Sequence, residues 1–286
     1  MITLLSDKLT VEVSPKGAEI TSVKTPSGTE FLWQAGEAWK RHAPVLFPVV
    51  GRLKGDAFTY LQQSYVLPQH GFARDLKFSV LGAEPDHCLL LLMDSPATRE
   101  QFPFPFELEI SHSLKRNELE TVYTINNPGR QPLPFSIGAH PAFRCPIEPH
   151  ESFEDYYLLF EKEAYQLTQL NGGLRTSEKS TLKVPGKKLK LTPELFAKDA
   201  MVFEGGQIDT ITLASSRSNR RITMRANQWP YFGIWTKPGQ KEFICLEPWY
   251  GIADHDNHTG DFNKKEGLMW LDAGESFSCF FSTSFI

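Results

Sequence analysis

A carboxylate that ends an apolar strand is hard to explain by packing, and the segment Phe243-Ile244-Cys245-Leu246-Glu247-Pro248-Trp249-Tyr250-Gly251 contains one. Burying an unpaired charge costs several kcal/mol, so Glu247 either does proton chemistry at a cleft or sits in a structural ion pair with a buried arginine. A second segment, Pro134-Phe135-Ser136-Ile137-Gly138-Ala139-His140-Pro141-Ala142-Phe143, halts an apolar run at Gly138. Pro141 cannot donate to a β-ladder, so His140 is expected at a strand end. There a neutral imidazole can pass a proton near pH 7, or can satisfy a loop carbonyl. A third pair of segments carries Gly51-Arg52-Leu53 and Gln69-His70-Gly71-Phe72-Ala73-Arg74. Gly51 and Gly71 each adjoin a polar residue in apolar surroundings, which suits a backbone that bends to aim a side chain or lets a ligand approach. The alternative is that Arg52 and His70 decorate a hairpin surface. Asp199 opens a strand just after a short helical stretch, and Trp235 and Trp249 offer flat apolar faces to a ligand or to the core. Asp254-His255-Asp256-Asn257-His258 has metal-ligating residue types but reads as a solvated loop, and no metal is expected.

These residues must be positioned by strands. Period-two alternation recurs in Leu9-Val11-Val13, Phe106-Leu108-Ile110 and Leu119-Thr121-Tyr123-Ile125, with turn residues at short intervals such as Asn126-Asn127-Pro128-Gly129 and Asn171-Gly172-Gly173. Cys88 to Met93 reads as a buried strand, too short to span a membrane. Only four short segments look helical: Gly36 to His42, Ala97 to Gln101, Pro193 to Lys198 and Asp261 to Glu266. The expectation is an all-β sandwich or barrel with a few short connecting helices. No linker, repeat or low-complexity tract marks a boundary, so residues 1–286 are expected to form a single domain.

Composition excludes several classes. The 286 residues are 41% hydrophobic and 22% charged, enough for a sizeable core. A net charge of −4 gives no electrostatic support to a nucleic-acid partner. The four cysteines are widely spaced with no CxxC, and are expected to be free thiols. The N-terminus has no basic segment ahead of an apolar run, so a cytoplasmic protein without membrane attachment is expected. Phosphate-binding loops, dinucleotide fingerprints, the GxSxG elbow and HExxH are all missing.

Five of these segments in order, GRL, QHGFAR, GAHPAF, DAMVF and CLEPWYG, resemble the aldose 1-epimerase family in its LacX-like branch, and the resemblance covers nearly the whole chain. It implies a galactose mutarotase-like β-supersandwich with a cleft across one sheet. It also implies that His140 is the general acid and Glu247 the general base, with Arg52, His70 and Asp199 holding sugar hydroxyls. Arg74 and Trp235 complete the expected substrate-binding set. The implied reaction interconverts α and β anomers of a hexose by opening and reclosing the ring. Because this needs only proton transfer, no cofactor is expected; the implied partner is a small sugar, and the chain a monomer or homodimer. Two departures bear on which sugar is bound: Phe72 follows His70-Gly71 where galactose mutarotases carry a second glycine, and Pro248-Trp249 follows Glu247. The alternatives are a hexose 6-phosphate mutarotase gripping the phosphate with Arg52, Lys54 or Arg74, a non-catalytic carbohydrate-binding protein, and a glycosidase using Asp199 and Glu247.

Overall fold

The computed structural model describes residues 1–286. Alternating sequences place one row of side chains inward and the next outward. Accordingly, Glu107–Lys115 and Glu118–Asn126 bury every second residue, including Leu108, Ile110, Tyr123 and Ile125. They are neighbouring interior strands of a nine-stranded antiparallel sheet. Its order is Lys188–Lys190, Tyr156–Leu159, Thr210–Ser215, Arg221–Arg225, Ser276–Phe285, Glu118–Asn126, Glu107–Lys115, His87–Met93 and Ser79–Ala83.

A second large sheet runs Leu174–Lys183, Ala164–Asn171, Met201–Glu204, Tyr231–Trp235, Phe243–Tyr250, Ile137–Ala139 and Val45–Leu46. Ala142–Arg144 also joins it, pairing with the first half of Phe243–Tyr250. The inner faces of the two sheets meet in one buried cluster of 63 residues, where, for example, the Phe47 and Phe106 rings lie 5.0 Å apart. Three N-terminal strands, Ile2–Leu5, Thr10–Ser14 and Glu19–Lys24, contribute Leu4, Val11, Val13 and Val23 to the same cluster. The architecture is the sandwich expected from the alternation.

The strand Phe243–Tyr250 departs from alternation, being buried on both faces for seven residues. Ile244 and Leu246 face the main core, whereas Cys245, Glu247 and Trp249 face the other way. Two glycines make room there. A Cβ on Gly233 would lie 2.4 Å from the Trp249 ring, and one on Gly138 would lie 2.7 Å from it, so the indole rests flat across both neighbouring strands.

Two expectations need correction. His87–Met93 is buried on only one face, with Met93 53% exposed, because it is next to the edge strand Ser79–Ala83 and its outer face has no covering layer. Gly36 to His42 contains no helix. Ala35 turns the chain at a left-handed φ of 48°, the Trp33 indole N–H donates to the Trp39 carbonyl at 2.8 Å, and the Glu19 carboxylate accepts from the His42 and Ala43 amides. These contacts capture backbone groups that a helix would need. The other three segments are helical but short: an α-helix at Pro96–Gln101 capped by Ser95, and 3₁₀ turns at Pro193–Phe196 and Phe262–Lys264.

Candidate active site

The outer face of the second sheet forms the floor of a cleft of about 380 Å³, a size suited to a small molecule. Glu247 projects from this floor, and His140 reaches it from the break between Ile137–Ala139 and Ala142–Arg144. The His140 Nε2 atom is 3.3 Å from Glu247 Oε2, and both residues are buried, 7% and 1% exposed. No arginine meets the carboxyl group; the titratable side chain beside it is His140.

The pair's surroundings work against charge. Burial pushes the Glu247 carboxyl well above the usual carboxylate range, and nearby Asp199 pushes the same way. Burial pulls His140 down to about 3, with the cations of Arg74 and Arg41 adding to the effect. Both groups favour their neutral forms, so one proton shared across 3.3 Å rests on Glu247 and can move to His140.

The walls follow from local backbone geometry. His70 adopts a left-handed φ of 68° and lines the cleft with its ring 5.6 Å from that of His140. Its Nδ1 accepts the Gly51 N–H at 3.1 Å, so the proton of the neutral ring is on Nε2. Burial holds the His70 imidazole well below its usual value, and His140, Arg74 and Arg41 add to this. Both glycines permit close backbone approach: a Cβ on Gly71 would lie 2.2 Å from the Phe47 carbonyl oxygen, and one on Gly51, which also lines the cleft, 2.5 Å from Ala253. Asp199 lines the opposite side at a φ of 103°, a strained position for a residue with a side chain, with its carboxylate accepting the Ala200 N–H at 2.8 Å.

Aromatic rings frame the pair. Trp39 stacks on the His140 imidazole at 4.9 Å and 24°, and Trp235 meets it edge-on at 5.7 Å. One end of the cleft is cationic. The Arg74 guanidinium donates to the Gln69 carbonyl at 2.6 Å, while its Nε has no partner. Arg41 takes both oxygens of Asp75, at 3.0 and 3.3 Å, leaving Arg74 3.8 Å from that carboxylate. Burial lowers Arg74 to about 10, and Arg41 adds to the shift.

His140, Glu247, His70, Asp199, Arg74 and Trp235 therefore share one cleft. Arg52 does not join them. Its guanidinium grips both oxygens of Asp56, at 2.9 and 2.8 Å, and donates to the Gly172 carbonyl at 3.2 Å, so it braces the turn whose Gly173 lines the rim. Lys54 is likewise off the cleft wall, with its amide donating to Asp254. The Asp254 to His258 run is committed elsewhere: Asp254 accepts from the buried Lys265 ammonium at 3.1 Å and lies 3.3 Å from His258 Nδ1. Trp39 and Arg41 also line the cleft but carry no sequence motif that marks them, and Gln69, the first residue of the QHGFAR segment, lines it as well. The available signal for the first two was an indole and a guanidinium two residues apart between Gly36 and Pro44.

Comparison with known proteins bears on the family and the fold. The family model described as aldose 1-epimerase matches residues 1–280. The plasmid-borne Protein LacX of Lactococcus lactis subsp. lactis is 30% identical over 263 residues, covering 88% of each chain. A galactose mutarotase related enzyme from Lactobacillus acidophilus superposes with a TM-score of 0.94 at 35% identity, over 99% of this chain and 96% of that one. A galactose mutarotase-like protein from Lactobacillus casei gives 0.91 at 28% identity, over the full length of both. The fold is thus galactose mutarotase-like, and the chain belongs to the aldose 1-epimerase family.

Proposed function

We propose that this protein is a mutarotase that interconverts the α and β anomers of an aldose. The observation that carries the proposal is the buried His140 and Glu247 pair, 3.3 Å apart on the floor of a cleft large enough for one sugar. Anomer exchange removes a proton from the C1 hydroxyl and delivers one to the ring oxygen. The ring C1–O5 bond breaks, a neutral open-chain aldehyde forms, C1 rotates, and the two proton transfers reverse as the ring closes. An acid and a base held beside one carbon–oxygen unit can each contribute roughly 10² to 10⁴ in rate.

In the resting pair the shared proton sits on Glu247. Its transfer to His140 Nε2 creates the reactive form, in which the Glu247 carboxylate takes the C1 hydroxyl proton and the imidazolium donates to the ring oxygen. Trp39, stacked on the imidazole, favours its cationic form while the proton is there. His70, through its Nε2–H, and Asp199, through its carboxylate, hold sugar hydroxyls. Trp235 and Trp249 present apolar faces to the ring.

The cationic end favours a second reading of the substrate. Arg41 and Arg74 face the cleft with only one carboxylate, Asp75, within ion-pair distance of them, so an aldose carrying a phosphate or carboxylate would supply the missing negative charge. Polarimetry on a panel of free and phosphorylated aldoses, with Glu247→Gln as the control, separates the readings. Acceleration of free sugars supports the first, and acceleration confined to anionic sugars that is lost in Arg74→Ala supports the second. Saturable binding with no acceleration by the parent protein would overturn both.

A further inference from the structure

Beneath the floor of the cleft lies a third group that proton transfer does not use. Cys245 lies two residues before Glu247 on the same strand and the same face, between Ala142 on one neighbouring strand and Trp235 on the other. It does not line the cleft itself. Its thiol is completely buried, just beneath the acid–base pair. One ligating atom each from His140, Cys245 and Glu247 lie within 4.8 Å of one another.

We infer that His140, Cys245 and Glu247 form a site for a thiophilic divalent cation, such as Zn²⁺ or Cd²⁺, whose capture shuts down the acid–base pair. The ligand set is one nitrogen, one sulfur and one oxygen, which suits borderline and soft cations; a single carboxylate is too few oxygens for Mg²⁺ or Ca²⁺. A tetrahedral ion with bonds of about 2.0 to 2.3 Å needs its ligand atoms roughly 3.2 to 3.8 Å apart. The His140 and Glu247 atoms are already at 3.3 Å, and with all three ligand atoms within 4.8 Å of one another the sulfur needs to move by no more than roughly 1 to 1.5 Å, within reach of a small rotamer adjustment. Because His140 and Glu247 line the cleft, water or a sugar oxygen from it can complete the coordination. On binding, the cation displaces the thiol proton and the proton shared by the pair, and both leave to solvent.

Two features make the site selective. Trp39 and Trp235 pack against the His140 ring and against the buried cluster that contains Cys245, so aromatic groups border two of the three ligands. The remaining cysteines, Cys88, Cys145 and Cys279, are buried elsewhere, and this is the one place in the molecule where a thiol meets both a histidine and a carboxylate. The consequence for the proposed reaction is inhibition: the ion occupies the lone pairs that must accept and donate protons.

The test does not depend on knowing the sugar. Titration of the reduced full-length protein with Cd²⁺ is expected to give a thiolate-to-metal charge-transfer band that saturates at one ion per chain. Cys245→Ser, which keeps the side-chain volume, and Cys245→Ala should both lose the band and bind at least ten-fold more weakly, whereas Cys279→Ala should retain it. Circular dichroism confirms that each variant is folded. Absence of the band in the parent, or its survival in both Cys245 variants, would overturn the inference. If the parent also exchanges anomers, Zn²⁺ should inhibit the parent and leave Cys245→Ala active at the parental rate; inhibition of both alike would contradict the site. A parent that binds Cd²⁺ through Cys245 but exchanges no anomers would leave the site standing and remove only the proposed reaction.

Discussion

Among single residues, the decisive property is that burial sets the two members of the pair against charge in opposite directions. This has a stability consequence with a definite sign. Between the ordinary carboxyl value of 4.5 and its raised folded value, Glu247 keeps a proton that the unfolded chain releases, so the native state loses relative stability as pH rises through that window. His140 acts in acid: between about 3 and its ordinary 6.5 the unfolded chain binds a proton that the native state does not, so stability is lost as pH falls through that range. Glu247→Gln, which keeps the shape and cannot ionise, should therefore stabilise the protein by on the order of 1 kcal/mol at pH 8 relative to the parent, with the gap closing toward pH 4.5. Thermal melting of both proteins across that pH range checks this; a variant less stable at every pH would show that the carboxylate is held charged by a favourable partner. A gain in stability together with a loss of turnover is the pattern expected where function is built at the expense of stability.

Among the elements, the glycine turns set the site and were partly legible in the sequence. Gly51 and Gly71 stood out as apolar-flanked glycines, but their reason is backbone contact: with φ of 76° and 68°, and with a Cβ 2.5 Å from Ala253 or 2.2 Å from the Phe47 carbonyl, neither can be replaced without moving the loop. Gly71→Ala should destabilise by roughly 2 kcal/mol or more and disturb His70, which chemical denaturation and substrate KM would both register. Glu247 could be picked out because a carboxylate at the end of a run of apolar residues contributes nothing to packing and is costly to bury. Arg52 was misplaced because a motif says nothing about where a guanidinium turns; the aspartate four residues on, Asp56, was the clue. Trp39 and Arg41 could not be found, since their position depends on the Glu19 carboxylate taking the His42 and Ala43 amides, a contact 23 and 24 residues distant in sequence. Glu19→Ala should release that loop and, through Trp39, lower turnover roughly ten-fold while leaving the fold intact. An unchanged rate in steady-state assays would show that the stacking on His140 is dispensable.

For the molecule as a whole, the sheet layers make the cleft a property of the entire chain. Glu247, His140, His70 and Asp199 come from segments spread between residues 70 and 247, and only the completed second sheet brings them together. The strand Ser276–Phe285 sits in the middle of the other sheet, between Arg221–Arg225 and Glu118–Asn126, and buries Phe281 and Phe285 in the core that both sheets share. Deleting the last ten residues should therefore abolish cooperative folding, even though the deletion touches no cleft residue. Calorimetry of the intact chain should show one unfolding transition, because a single buried cluster joins the sheets; two separated transitions would mean that the layers fold as independent units. Overall alternation is readable from sequence because it is a local property, and the unbroken apolar run Phe243 to Leu246 fits burial on both faces, whereas the groups that cover its outer face come from distant segments and are not readable.

Whether a proton relay between His140 and Glu247 drives anomer exchange is decided by exchange NMR on an accepted aldose at anomeric equilibrium. The α-to-β interconversion rate is measured with equal concentrations of parent, His140→Asn and Glu247→Gln. Acceleration by the parent is expected, with a fall of roughly 10² to 10⁴ in each variant while folding and sugar binding are retained. Parental exchange rates in either variant would contradict the relay.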